Sequence, residues 1–199
     1  QEPGSAMHIH QSIVDARTGR NLFSNKNGKD TRLFLAYIAG LQKYLPASMP
    51  LIAPYVNSYR RLVRYLSAPV NTHWGHENRT VGLRVPESEQ KSRRIENRVP
   101  GADANPYLAI ASTLACGYLG MTQNLTPTKP MEGNAYESMK YQLPRHLLDA
   151  IQRFRGSADL REVFGAGFVD LYSDVKASEH DAYQQVISPW ERQHLLLNV

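Results

Sequence analysis

The sequence contains one cysteine, Cys116, among its 199 residues. A single thiol excludes an intrachain disulfide framework, and its position inside an apolar segment predicts a packed thiol in a reducing compartment. The sequence also lacks an uninterrupted apolar run of about eighteen residues, and no signal peptide is visible. We therefore expect a cytoplasmic protein that has no membrane partner.

Internal repeats, low-complexity tracts and an initiator methionine are also missing, as are helix-turn-helix, zinc-finger and RNA-binding signatures. The net charge of +5 would suit nucleic acid. However, the arginines cluster between residues 60 and 98, among prolines, glycines and aromatic residues. A small phosphate-bearing ligand fits that arrangement at least as well as a polymer, so we expect no nucleic-acid partner.

A hydrophobic fraction of 42% describes an ordinary globular chain, either one large domain or two small ones. Strands and loops come first and helices last. This order predicts an α+β fold, with a mostly antiparallel sheet, helices packed on one side and a helical C-terminal part. The predicted helices are one that Thr31 caps and Pro46 stops, one over 106–121 buried on most sides, two over 144–154 and 158–164, and one from Phe168 toward Val186. Val81–Val85 alternates as a strand, and residues 73–76 are predicted as loop.

The central stretch from Arg79 to Tyr107 gathers most of the charge that could do chemistry. In a strand over residues 94–99, the period of two places Arg94, Glu96 and Arg98 on one face. This pattern also fits a solvated ion-pair ladder on a sheet. Pro100-Gly101 then breaks the strand, and either Asp103 or Asn105 caps a following helix. The charged face is thereby placed at a strand-to-helix junction.

A second strand is predicted over residues 7–14, where His8, His10 and Ser12 share one face. Two imidazoles at this spacing more often belong to a polar sheet face than to a metal site. They also do not complete a usual coordination sphere. A metal site would need a carboxylate from another segment.

Five separated motifs occur in order along the chain: GSAMHIHQS, NSYRRL, NRTVGLRVP, RRIENRVPGADANPYLA and GNAYE. Together they resemble the C-terminal part of the catalytic domain of glutamine synthetase. In character the sequence is closest to the branch that makes γ-glutamylpolyamines such as γ-glutamylputrescine. Residues 1–199 are then the C-terminal portion of such a domain, and its N-terminal domain and first catalytic part are absent. On this resemblance, the chain alone is expected to be inactive.

The resemblance implies an ATP-dependent ligase that joins the γ-carboxylate of glutamate to an amine through a γ-glutamyl phosphate. It also implies Mg²⁺ or Mn²⁺ as the metal and a homo-oligomeric ring as the full-length assembly. By residue, it implies metal binding for His8 and Glu96, glutamate binding for Gly4, Arg61 and Arg98, nucleotide binding for His10, Ser12, Arg79, Arg84, Lys91 and Arg94, and transition-state stabilisation for Arg79. Arg79 and Arg84 would face opposite sides of a regular strand, so a bulge or a loop before Thr80 is required.

The sequence departs from the family pattern at two places that bear on the substrates. Pro3-Gly4 stands where the family has Asn-Gly, and Ser67 stands where ammonia-using members carry a flap glutamate before Ala68-Pro69. Without that glutamate, the expected acceptor is an organic amine, such as putrescine or spermidine. Trp74 is expected near the same mouth as a surface for the alkyl chain. The alternatives are a glutamine synthetase that uses ammonia and a non-catalytic relative.

Overall fold

A computed structural model of the chain describes residues 4–198. Within these residues the chain forms four strands and seven α-helices. The strands are β1 (Ile9–Gln11), β2 (Trp74–His76), β3 (Leu83–Val85) and β4 (Ile95–Asn97). The helices are α1 (Arg32–Ser48), α2 (Ser58–Arg61), α3 (Pro106–Thr122), α4 (Leu147–Gly156), α5 (Ala158–Phe164), α6 (Ala166–Gln184) and α7 (Pro189–His194).

The four strands form one mixed sheet in the order β1-β4-β3-β2. Strand β4 is antiparallel to both β1 and β3, whereas β2 runs parallel to β3. Glu96 on β4 lies between His10 on β1 and Arg84 on β3 in the register. The α+β prediction is confirmed, and two of the three strand pairs are antiparallel as expected.

Each face of the sheet has its own composition. Ile9, Leu83 and Ile95 are buried in a core that includes Phe34 and Ile38 of α1. The opposite face carries Arg84 of β3, Glu96 of β4 and His10 of β1, and His8 lies just before β1 on the same side. The period of two predicted from the sequence is therefore confirmed, and it separates the core from the polar site.

Helix α1 begins as predicted, because the Thr31 side chain accepts a hydrogen bond from the backbone N–H of Phe34. The prediction that Pro46 stops this helix is wrong, since the helix continues to Ser48 with Pro46 inside it. Proline has no N–H to donate to the carbonyl of Gln42. That carbonyl instead accepts a hydrogen bond from Thr72 Oγ1 at 3.2 Å, from outside the helix.

Replacing Thr72 with valine should lower the free energy of unfolding by about 1–2 kcal/mol, because it leaves the buried carbonyl of Gln42 without this donor. Thr72 is fully buried, so water cannot replace the lost hydroxyl. Urea unfolding of Thr72→Val and of Thr72→Ser, which keeps the hydroxyl, provides the comparison. Equal stability of the two variants would contradict this role.

Helix α3 begins at Pro106, and Asn105 caps it by accepting hydrogen bonds from the N–H groups of Tyr107 and Leu108. It packs on α1 at glycines: a Cβ added to Gly40 would lie 2.1 Å from the carbonyl oxygen of Cys116. The prediction that this helix is buried on most sides is wrong for one face, where the exposed residues are Tyr107, Ile110, Leu114 and Tyr118. Close packing on α1 uses only the opposite, small-residue face.

The prediction that residues 73–76 form a loop is wrong, because Trp74–His76 is strand β2. Within residues 4–198 its strand partner is β3, in a parallel pairing that short-range sequence signals do not reveal. Trp74 is 3% exposed, and its Nε1–H donates to the carbonyl of Thr128 at 2.8 Å. This residue belongs to the core.

The C-terminal part is helical, as predicted. Helix α5 has the predicted bounds, and α6 covers Phe168 and continues to Gln184. Tyr172 of α6 donates a hydrogen bond to the carbonyl of Pro50 at 2.9 Å, which ties this helix to the segment after α1. Among residues 4–198, no helix combines the length and apolar character needed to cross a bilayer.

Candidate active site

Glu96 is at the centre of the charged face of the sheet and is only 4% exposed. Its Oε2 accepts a hydrogen bond from Arg84 Nη1 at 2.8 Å, and its Oε1 lies 2.9 Å from His8 Nδ1. Arg98 Nε and His10 Nε2 are each 3.9 Å from the same Oε1. One buried carboxylate therefore joins four cationic or titratable side chains from three strands and their extensions.

His8 has the properties of a metal ligand that is neutral at pH 7. Burial lowers its pKa, against the opposing effect of the Glu96 carboxylate. If Nδ1–H donates to Glu96, the lone pair on Nε2 is available to a cation, which is the usual arrangement of a metal-binding histidine. Residues 4–198 hold no group of three or more histidine, cysteine or acidic side chains arranged around a metal. In this arrangement Nε2 of His8 is the donor available to a cation, and Glu96 fixes the orientation of the ring. Metal binding by His8 and Glu96 stays a prediction.

A cavity of about 660 Å³ opens beside this cluster. Gly4, His8, Arg61, Ser67 and Arg98 all line it, although they come from three separate segments of the chain. The structure therefore brings the three predicted glutamate-binding residues together with one predicted metal ligand and the flap serine.

Arg61 and Arg98 are held in place from behind. An Nη2–H of Arg61 donates to the carbonyl of Val99, and Nη1–H of Arg98 donates to the carbonyl of Arg79. Burial lowers the pKa of both guanidiniums, most strongly opposed by Asp103 at Arg61 and by Glu96 at Arg98. Both groups remain cationic at neutral pH, so the cavity presents two fixed positive charges to an anion.

Sequence patterns alone do not reveal the residues that orient α2 and its Arg61. Ser58 donates a hydrogen bond from Oγ to Asp103 Oδ2 at 2.6 Å, and the same Oγ accepts the N–H of Tyr55 at 3.0 Å. A Cβ at Gly4 would lie 2.5 Å from Cγ of Arg61, so only glycine allows this approach. The sequence offered both Asp103 and Asn105 as caps of α3. Because Asn105 is the cap, the Asp103 carboxylate is free to accept the hydrogen bond from Ser58 of α2.

The predicted nucleotide-binding residues are more dispersed. Arg94 Nε donates to His10 Nδ1 at 3.3 Å beside the cluster. Arg79 lies in a turn before β3, which confirms the predicted loop, and it lines a different cavity with Glu77 and Asn78. The side chain of Lys91 is 82% exposed, and Ser12 is also exposed. His10, Arg84 and Arg94 are therefore brought together around Glu96, whereas Ser12, Arg79 and Lys91 lie apart from them.

The flap segment from Tyr65 to Ala68 forms the lip of the cavity. Tyr65 and Ser67 both have φ of +65°, a conformation that non-glycine residues seldom adopt. Tyr136 is 5% exposed and donates a hydrogen bond from its hydroxyl to the carbonyl of Ala68 at 3.1 Å. Trp74 is not at this lip, contrary to the prediction. The aromatic residue that lines the cavity is Tyr65.

A buried carboxylate flanked by histidines and arginines opens onto a cavity whose fixed positive charges suit an anionic ligand. A family model described as glutamine synthetase, catalytic domain, matches residues 1–195. The chain belongs to the glutamine synthetase family.

The names of the matching relatives differ in the product or the amine that they state. The chain is 37% identical over 198 residues to the γ-glutamylputrescine synthetase PuuA of Escherichia coli K12, covering 100% of this chain and 42% of the relative. It is 35% identical to type-1 glutamine synthetase 2 of Dictyostelium discoideum, over 98% of this chain and 38% of that relative. It is 34% identical to a glutamate–isopropylamine ligase of a Pseudomonas species, over 94% of this chain and 42% of that relative. The chain thus spans about two fifths of the length of these relatives.

Proposed function

We propose that the whole protein is an ATP-dependent ligase that joins the γ-carboxylate of glutamate to an organic amine, most favourably a polyamine such as putrescine or spermidine. Residues 1–199 then form the C-terminal portion of its catalytic domain. The observation that carries the proposal is the cavity that Arg61 and Arg98 line together with a flap segment that has Ser67 instead of a carboxylate. Names of relatives support a glutamate–amine ligase, and the flap supports the larger acceptor.

Glutamate would bind through Arg61 and Arg98. Each guanidinium offers a planar pair of donors that matches a carboxylate, and the partial desolvation of the cavity strengthens the contact. The close packing of Gly4 on Arg61 fixes the position of one of them. The γ-carboxylate is thereby directed toward the His8–Glu96 cluster, where it would take a phosphoryl group from ATP.

His8 and Glu96 would help to hold Mg²⁺ or Mn²⁺. Such a cation neutralises the charge that develops on phosphate oxygens during phosphoryl transfer. The residues assigned to the nucleotide are His10, Ser12, Arg84, Lys91 and Arg94. Arg79 is assigned to the γ-phosphate as the catalytic cation, and Arg98 holds the backbone carbonyl of Arg79 in the turn before β3.

Ser67 determines the acceptor by its size and lack of charge. Ammonia arrives mainly as a small cation that must be trapped and deprotonated, which favours a carboxylate with a suitable pKa and a tight lid. Serine offers neither, but it leaves room for an alkyl chain. The acyl phosphate would then be attacked by the neutral form of a larger amine, and phosphate would leave.

The full-length enzyme should release phosphate faster with glutamate plus putrescine or spermidine than with glutamate plus ammonium. The measurement is kcat/KM for phosphate release across a panel of ammonium, monoamines, diamines and polyamines. The variant Ser67→Glu restores the flap carboxylate, and its kcat/KM for ammonium relative to putrescine should rise by about tenfold or more.

Other outcomes identify the alternatives. A kcat/KM for ammonium above that for every organic amine would mean that the protein is a glutamine synthetase. No phosphate release with any amine, from a full-length protein that binds ATP and metal, would indicate a non-catalytic relative that keeps the fold.

A further inference from the structure

We infer that Tyr65 is a specificity-determining residue for the acceptor amine, with its ring receiving the alkyl chain and the far ammonium of a diamine. This inference rests on the proposed function, because it presumes that an amine enters the cavity beside the flap. Tyr65 would recognise the far end of the amine, a role that neither Ser67 nor the arginines of the cavity can fill.

The ring is both available and supported. Tyr65 is 66% exposed and lines the same cavity as Ser67 and Arg61. Its ring centroid lies 5.3 Å from that of Tyr136, with 50° between the ring planes. Tyr136 is anchored in turn, since its hydroxyl donates to the carbonyl of Ala68 at 3.1 Å. One side of the Tyr65 ring is therefore backed by a fixed aromatic residue, and much of the rest is open.

The backbone of the lip is consistent with a functional role. The φ of +65° at both Tyr65 and Ser67 costs conformational energy for residues with a Cβ. Such backbone persists where its surroundings hold it, and it is concentrated at ligand sites. Here the hydrogen bond between Tyr136 and Ala68 holds the end of the segment.

The side chains that line the cavity offer no carboxylate to the second ammonium group of a diamine, among the residues that the structure describes. In the part of the chain that the structure describes, no aspartate or glutamate lines this cavity, whereas Arg60, Arg61 and Arg98 do. Glu96 lies nearby, but its two oxygens already contact His8 and Arg84. A cation at the lip is therefore repelled by the guanidiniums, and the electron-rich face of Tyr65 is the attractive surface that this chain offers.

Four variants of the full-length enzyme separate the contributions of the ring. We would measure kcat/KM for putrescine, for 1-butylamine, which lacks the far ammonium, and for methylamine as the small reference. Tyr65→Ala should lower the putrescine-to-methylamine and butylamine-to-methylamine ratios by about tenfold, through lost apolar contact. Tyr65→Leu should lower the putrescine-to-butylamine ratio by about threefold, the size of an exposed cation–π contact. Tyr65→Phe should keep all three ratios. The matched control is Tyr118→Ala, because Tyr118 is a half-exposed tyrosine on α3, outside the flap.

The outcomes distinguish this inference from the proposed function. Wild-type turnover with putrescine, together with ratios that Tyr65→Ala does not change, would overturn the role of Tyr65 alone. An equal loss for all three amines would show that the ring only supports the fold of the flap, and would also overturn the inference. A wild-type enzyme that releases no phosphate with any amine would overturn the proposed function and this inference together.

Discussion

Replacing Glu96 with alanine in the full-length protein is expected to reduce amine-dependent phosphate release by at least about 100-fold and to weaken metal binding. The same change should destabilise the folded protein by about 3–5 kcal/mol, because it removes one partner of a buried charge cluster. Arg84 would lose a contact at 2.8 Å, and Arg98, whose side chain is 8% exposed, would lose its nearest carboxylate. Both effects arise from the position of one carboxylate between the cations of the sheet.

Calorimetric titration with Mg²⁺ and Mn²⁺ separates the binding role from the structural one. Glu96→Gln keeps the shape of the side chain and one of its two acceptor oxygens, so the loss of stability should be smaller than in Glu96→Ala. It lacks the negative charge, so metal affinity should still fall. His8→Ala should also weaken metal binding while removing less of the charge cluster. Wild-type affinity at every site in both Glu96→Ala and His8→Ala would sink the assignment of these residues as ligands.

Replacing Gly40 or Gly120 with alanine is expected to destabilise the protein by about 3 kcal/mol, the upper part of the range for overpacked cores. A Cβ at Gly120 would lie 2.1 Å from the carbonyl oxygen of Ala36 and 2.6 Å from Cα of Gly40. These neighbours are backbone atoms of another helix, so relief requires the two helices to separate. Separation would open the core between α1 and α3.

The matched control for these glycines is Gly167 in α6, where an added Cβ would meet nothing within 4 Å. Because alanine is the better helix former, Gly167→Ala should stabilise the protein by about 0.5 kcal/mol. Urea unfolding of the three variants gives the comparison. Equal effects at Gly40 and Gly167 would show that the α1–α3 contact is not the close helix pair described above.

Several features of the fold were determined by local sequence. Thr31 and Asn105 cap α1 and α3 because a side-chain oxygen satisfies N–H groups of the first helical turn within the same few residues. The alternation around Glu96 and around His8 assigned core and polar faces correctly, because successive side chains of a strand point to opposite faces. The charged face was therefore predictable, although its partners were not.

Other features were decided only by tertiary contacts. Strand β2 forms because β3 pairs with it. Helix α1 continues through Pro46 because Thr72 donates a hydrogen bond to the carbonyl of Gln42, which the proline cannot satisfy. Thr72 and Gln42 are distant in the sequence, and β2 has no strand pattern of its own in the sequence. Local propensity cannot encode them, since the free energy that decides each comes from the other segment.

The site shows the same division. Residue types and spacing determined which side chains carry charge, and the resemblance to a family selected among them. Only the folded chain placed Gly4, Arg61, Ser67 and Arg98 around one cavity, moved Trp74 into the core and left Tyr65 at the lip. The physical reason is that a strand pattern specifies a face, whereas a cavity is defined by where several segments meet once their apolar sides are buried together.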